Sequence, residues 1–256
     1  MSAEGDASSA VARVRFVLAR TSHPGNIGSA ARAIRTMGFH RLVLVAPEQF
    51  PHGDAYALAA GALDVLDGAV VVETLAEAVA DCTLVIGATA RMRGVSLEEC
   101  PPREAAARAF DAALDGREVA LVFGNERAGL SNDEIACCHA VVHIPSDPTY
   151  SSLNLAQAVQ VVAYELRMAV LAGAASDRSG NSDAPASQAE LEGFFTHLAA
   201  TLDDIEFHKG RSPRTIMRRL RRLFLRANPD QRELRVLRGI LADAQRMASI
   251  AHQRDA

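Results

Sequence analysis

The sequence predicts an α/β domain built on a mostly parallel six-stranded sheet, followed by a small helical unit. Three observations carry this expectation. Six short apolar runs alternate with helical patterns up to residue 172. Each run is almost continuously apolar, as strands covered on both faces are. Beyond residue 188 the periodicity is helical only. A chain of 256 residues can bury one sizeable core and carry a smaller second unit.

Taken in order, residues 1–12 are small and polar and read as a disordered tail. The strand candidates are VRFVLAR, RLVLVAP, AVVVET, TLVIGAT, EVALVFG and AVVHIP. Between them, helices are expected at 27–37, 54–66, 75–80, 102–114 and 132–138, with a long one over 153–171. In the first helix Asn26 is the expected cap and Gly38 the terminator; Ile27, Ala30, Ile34 and Met37 form the buried stripe, with Arg32 on the opposite side. Residues 13–172 thus form the first domain. The small polar stretch 173–188 reads as a flexible linker, and 189–256 as a helical domain.

In that last domain Leu191, Phe194, Phe195, Leu198 and Leu202 recur at helical spacing. Ser212 before Pro213 starts a helix with Ile216, Met217, Leu220, Leu223 and Phe224 on one side and Arg214, Arg218, Arg221 and Arg222 on the other. Asn228 and Pro229 open a final helix. The formal net charge of −4 hides an asymmetry: residues 207–238 hold eleven Lys/Arg against two Asp/Glu, a local +9, which leaves −13 for the rest. That segment is suited to an anionic partner.

Composition excludes several classes. Apolar content of 49% with 23% charged residues is that of a globular protein. No apolar run has the length of a membrane span and the N-terminus lacks a signal-peptide core, so the cytoplasm is the expected location. Cys82, Cys100, Cys137 and Cys138 lack C-x-x-C spacing and read as reduced, buried thiols. His139 and His143 flank a strand-like pair; four residues of strand separate them by roughly 13 Å, too far for one ion. No metal site is expected.

Four loops follow apolar strands. The first is TSHPGNIGSAAR. The second is GATARMR. The third, FGNERAGLS, is neither a G-x-G-x-x-G nor a P-loop pattern. The fourth, IPSDPTYSSLN, enters the long helix and presents Ser151, Ser152 and Asn154 beside unpaired helix N–H groups, which suit a carboxylate or a developing oxyanion. Each alone also reads as a structural turn or cap. Together, at the C-terminal ends of strands, they point to a ligand site.

These motifs, N-x-G-x-x-x-R with M-G, then FGxExxGLS, then IP with YSSLNLAQAVQVVAYE, resemble in order the three signatures of the SPOUT RNA 2′-O-methyltransferases of the TrmH type. The GATARMR loop and the tail segments H-L-x-x-T-L, M-x-x-L-R-R-L-F-x-R-A and E-L-x-x-L-R-G-I-L resemble the TrmJ branch, so the likeness spans residues 13–246. The resemblance implies S-adenosylmethionine-dependent methylation of a ribose 2′-hydroxyl on tRNA, at the first nucleotide on the 5′ side of the anticodon loop (position 32, cytidine or uridine). It also implies a C-terminal trefoil knot, which general topology rules would not anticipate, and a homodimer packed through that knot.

By the same resemblance, cofactor contacts fall on Ala88, Thr89, Ala90, Gly124, Ile144, Ser151, Ser152 and Leu153. This chain has GATAR where related sequences have GTSAR, which favours a backbone role at Ala88. Glu126 is expected to shape the third loop. The catalytic role falls on Arg32, with Ser152 or Asn154 orienting the hydroxyl. A guanidinium with pKa above about 12 is a poor base, so Arg32 is expected to grip phosphate and stabilise the alkoxide. Arg214, Arg218, Arg221 and Arg222 would then lie along tRNA phosphates. The competing readings are the same chemistry on another tRNA site or on rRNA, a non-catalytic RNA-binding regulator, and a serine hydrolase using Ser151 or Ser152 with His143 and Asp147, which lacks a nucleophile elbow.

Overall fold

The computed structural model describes residues 3–90, 97–147, 149, 152–173, 185–210 and 212–254. Arg91, Met92 and Arg93 of the GATARMR loop, Ser151 and most of the expected linker lie outside the described residues. The chain divides into two compact units, Met1–Ser179 and Gly180–Ala256, a division that falls within the 173–188 stretch.

The six apolar runs become β1 (Val14–Ala19), β2 (Arg41–Val45), β3 (Val70–Val72), β4 (Leu84–Ala88), β6 (Val119–Phe123) and β7 (Ala140–Val142). A further strand, β5 (Glu98–Cys100), makes the sheet seven-stranded rather than six-stranded, in the order β3-β2-β1-β6-β4-β7-β5 with every pairing parallel. Strand β5 escaped the pattern for a physical reason. It sits at the sheet edge with Glu98 and Glu99 exposed and only Cys100 buried, so it carries no apolar run.

Alternation of side chains along each strand feeds two cores. Phe16, Leu18, Leu42, Leu44, Ile86, Leu121 and Phe123 face one layer. That layer holds α1 (Ala3–Val11), α2 (Pro24–Thr36), α3 (Gly53–Ala59), α6 (Pro102–Leu114) and α8 (Leu155–Ala172), with α4 (Leu63–Asp67) beside α3. Val17, Val43, Val85, Ala120 and Val122 face the other, covered by α5 (Leu75–Ala78), α7 (Asn132–Ile135) and the segment around Leu130 and Cys138. On the first side Phe16 stacks on Phe123 at 6.3 Å and meets Phe39 at 5.6 Å. Helix α8 is long and apolar enough to cross a membrane by length and composition, contrary to the sequence reading; its Leu155, Val159, Val162, Ala163 and Leu166 are buried in this core.

Several boundaries move for local reasons. Residues 3–11 form α1, with Ala10 buried against the core, where a disordered tail was expected. Pro24 occupies the first turn of α2 and His23 its N-cap, so the helix starts before Asn26 and frees that side chain from capping. The single helix expected over 54–66 is two, broken at Ala60, whose φ is +49°. Gly28 has a packing role: a Cβ there would overlap the Ala55 carbonyl, so only glycine lets α2 and α3 approach this closely.

Arg15 is buried within β1, an arginine inside an apolar run. It donates to Asp81 and Glu118 and to the Ala78 carbonyl, while Arg41 also pairs with Glu118. Burial opposes its charge, and these partners outweigh burial. Cys82, Cys100 and Cys138 are buried, but Cys137 is only half-buried.

The second unit comprises α9 (Gln188–Asp204), α10 (Pro213–Ala227) and α11 (Gln231–Arg254) around Leu191, Phe194, Phe195, Leu198, Leu225 and Leu234. Ser187 and Glu190 form a capping box on α9. Asn228 ends α10 in the left-handed conformation, and Asp230, rather than Asn228, caps α11 by accepting from the Arg232 and Glu233 N–H groups. Leu223, expected on the apolar side of α10, is 47% exposed.

Candidate functional site

Chain order places β6 between β1 and β4, so the chain reverses direction across the sheet at this point. The loops that leave β1, β6, β4 and β7 all emerge at the same end of four adjacent strands, where open parallel sheets bind ligands. Between three of them lies a cavity of about 270 Å³, just below the roughly 300–1,000 Å³ common for ligand pockets. Ala88, Thr89 and Ala90 line it from β4, Gly124 to Leu130 from β6, and Ile144, Ser152 and Leu153 from β7. Every described residue expected to contact a cofactor is therefore in one wall or another of this cavity.

Gly124 sets the shape of the third loop. A Cβ at this position would overlap the backbone of Gly129 and Leu130, so the turn can fold back only onto a glycine. Asn125 and Gly129 close the turn through a backbone bridge, with the Gly129 N–H donating to the Asn125 carbonyl at 2.8 Å. The Asn125 side-chain oxygen accepts from the Arg127 and Ala128 N–H groups.

Glu126 is the one acid among the described residues of the lining, and it faces its own chain. Its Oε2 accepts from the Ser22 N–H at 3.0 Å and the Ser22 hydroxyl at 2.9 Å; its Oε1 accepts from the His23 N–H at 3.2 Å and Asn26 Nδ2 at 2.9 Å. Burial would raise its pKa, but the donors from Ser22 and Asn26 prevail and bring it down to about 2. Asn26 in turn accepts from Asn154 Nδ2 at 3.0 Å, while Asn154 Oδ1 caps α8 through the Ala156 N–H. A directed chain Asn154 → Asn26 → Glu126 thus ties the fourth loop to the first and third. Sequence reading placed Asn154 beside the reacting hydroxyl; in the structure both ends of its amide are taken.

Ser152 is exposed and lines the cavity. Arg32 is exposed on α2 and is not in the lining. Among the described residues, therefore, Arg32 is not part of the cavity wall of its own chain. Of the hydrolase reading's residues, His143 Nδ1 lies 3.2 Å from the Thr89 carbonyl and Asp147 accepts from the Thr149 N–H, while Ser151 lies outside the described residues. No cluster of three or more His, Cys, Asp or Glu able to hold a metal occurs among the described residues.

In the second unit, Arg214, Arg218 and Arg222 are exposed along α10, joined by Arg219 and Arg226. Arg221 differs from the expectation: it pairs with Glu192 and lies over the Phe195 ring at 4.4 Å from its centroid, so it holds α10 to α9. Hydrophobic neighbours one turn away gave no sequence signal for this.

Residues 13–164 match the family model of the SpoU rRNA methylase family, and residues 189–253 match that of the C-terminal domain of the tRNA methyltransferase TrmJ. The chain belongs to the SpoU methylase family. Its resemblance to the TrmJ branch extends through both units of this SpoU-family chain. It is 49% identical over 244 residues to a Pseudomonas aeruginosa protein named tRNA (cytidine/uridine/adenosine-2′-O-)-methyltransferase TrmJ, covering 92% of this chain and 95% of that one. The crystal structure of TrmJ from Z. mobilis superposes with a TM-score of 0.78 at 38% identity, covering 90% of this chain and 97% of that chain. A more distant SpoU methyltransferase, AviRb from Streptomyces viridochromogenes, solved in complex with AdoMet, matches at 25% identity and a TM-score of 0.50 over 61% of this chain and 60% of that chain.

Proposed function

We propose that this enzyme transfers a methyl group from S-adenosyl-L-methionine to the ribose 2′-hydroxyl of cytidine or uridine at the first nucleotide on the 5′ side of the tRNA anticodon loop. The observation that carries the reading is the cavity, whose walls are the loops bearing the second and third family signatures together with the GATAR segment. The name of the Pseudomonas relative supports tRNA as the substrate and adds adenosine to the possible bases; the AdoMet complex of AviRb supports the cofactor. A cytoplasmic location accords with a tRNA substrate.

The lining fits such a group. It combines small residues, whose main chain can read an adenine edge through N–H and C=O groups, with apolar side chains such as Phe123, Leu130 and Ile144, and the Glu126 carboxylate has its acceptor sites taken by internal donors. Ala88, Thr89, Ala90, Gly124, Ile144, Ser152 and Leu153, with Ser151, would hold it. Bound there, it supplies an electrophilic methyl group. Ser152, exposed at the cavity edge, orients the ribose hydroxyl, and Asn154 acts by fixing Asn26 and Glu126. Positioning of this kind supplies on the order of 7–11 kcal/mol at ideal geometry.

Arg32 grips the target phosphate and stabilises the developing alkoxide. Because it stands outside its own cavity, it serves the pocket of a second protomer in a homodimer. Tyr164, Met168 and Leu171 form an exposed apolar stripe on α8 at 50%, 43% and 62% exposure, a surface suited to that contact. The same family reading carries a trefoil knot through β7 and α8, with β7 seated between β4 and β5.

The C-terminal unit supplies electrostatic affinity for tRNA through Arg214, Arg218 and Arg222, spaced one turn apart on α10, with Arg221 in a supporting role. Mass spectrometry of nucleosides from tRNA of a strain lacking the gene tests the reading: loss of 2′-O-methylcytidine and 2′-O-methyluridine at that nucleotide is expected, and unchanged levels overturn it. Mixed dimers of R32A and G124A protomers test the arrangement of Arg32. Service in trans leaves one working site per dimer, and service in cis leaves none.

A further inference from the structure

We propose that Arg20 is a positioning residue that, through Glu134, sets the shape of the Gly124–Leu130 wall and thereby the affinity for the cofactor, without taking part in the chemical step. Arg20 follows β1 and holds both feet of the turn. Its carbonyl accepts from Asn125 Nδ2 at 2.7 Å, at the start of the wall. Its Nη2 donates to the Gly129 carbonyl at 3.2 Å, at the end. Nε and Nη2 also make a two-pronged contact with Glu134, at 2.9 and 2.7 Å.

Glu134 is fixed in turn. Its side chain is 12% exposed and closes the capping box with Ser131, accepting from the Ser131 N–H at 2.6 Å. Burial would raise its pKa, but the Arg20 contacts and the Ser131 N–H lower it, so it is held as the carboxylate. To direct carbonyl and guanidinium to the same loop, Arg20 adopts a φ of +54°. A non-glycine residue keeps that conformation only where its surroundings over-determine it, and such residues cluster at ligand sites. Arg20 itself is absent from the cavity lining, so any effect on ligand must pass through Asn125 and Gly129, which are in it.

The inference rests on the cavity being the S-adenosylmethionine site. Calorimetric titration of the full-length protein with S-adenosylmethionine tests the two separately: if the wild type does not bind, that reading fails. If it does bind, R20A is expected to raise Kd about 10-fold, which equals about 1.4 kcal/mol. With both substrates saturating, kcat stays within about twofold. R20K, which keeps a charge for Glu134 but loses the fork, falls between. E134Q, which keeps an acceptor for the Ser131 N–H but loses the charge facing Arg20, also raises Kd, by less than R20A. An unchanged Kd in folded R20A, a fall in kcat at unchanged Kd, or an unchanged Kd in folded E134Q overturns the proposal.

Discussion

Replacing Glu126 with glutamine removes one charge at nearly constant shape, at the point where three loops meet. Glutamine keeps a single acceptor. One of its terminal atoms becomes an NH2 group facing either Ser22, with its N–H and hydroxyl, or the His23 N–H and Asn26 Nδ2. At least two donors therefore lose their acceptor. The fall in pKa from 4.5 to about 2 corresponds to at most about 3 kcal/mol at about 1.4 kcal/mol per tenfold change. The side chain is only half-buried, and solvent screening reduces this to about 1–2 kcal/mol. E126Q should lose that much stability in urea denaturation at pH 7, and should bind S-adenosylmethionine less tightly because Asn26 and the third loop lose their common anchor. The sign with pH follows from a depressed carboxyl: the stabilisation is complete above pH 4.5 and disappears as pH falls toward 2. The difference between wild type and E126Q should therefore shrink below pH 4.5. Equal stability at pH 7, or a gap that widens in acid, refutes the assignment.

Other outcomes follow from the same contacts. G124A must displace the Gly129–Leu130 backbone, so it should reduce S-adenosylmethionine affinity at least 10-fold while lowering Tm only modestly; calorimetry alongside thermal melting separates the two. His139 is buried, its Nδ1 accepting from the Val85 N–H at 3.0 Å, and burial together with Arg108 lowers its pKa from 6.5 to about 4. A lowered histidine pKa means the unfolded chain takes up the proton first, so stability falls by about 3 kcal/mol as pH drops from 6.5 to 4. H139N keeps the acceptor and should flatten that slope in denaturant titrations. Reversing Arg218 and Arg222 to Glu should weaken tRNA binding and its salt dependence in filter-binding assays, with S-adenosylmethionine affinity unchanged. In R221E the loss of α9 packing should appear as lowered stability as well.

Nearly continuous apolar runs made six strands legible; most are buried on both faces, where a charge needs its own partners as Arg15 does, while edge strand β3 is apolar although Val70 and Val71 are exposed. Strand β5 was not legible: at the edge its glutamates face solvent, and three residues carry no period. The second and third family signatures and the GATAR segment marked the loops that line the cavity, since a turn that must admit a backbone or ligand at close range leaves glycine, as at Gly124. Pairing over long sequence distances left no such trace. Arg15 with Asp81 and Glu118, Arg20 with Glu134, and Glu126 with Asn26 are separated by 66 to 114 residues. A charged residue's partner in these pairs is chosen by where the sheet order brings two loops, not by any neighbour in the chain. Sequence alone thus determined the family, the α/β character and the loops of the site. Tertiary structure decided that Asn154 and Arg221 are committed to holding neighbours, that Arg32 stands apart from its own cavity, and that Arg20 clasps the cavity wall, because each of these depends on what lies opposite a side chain once the sheet is ordered.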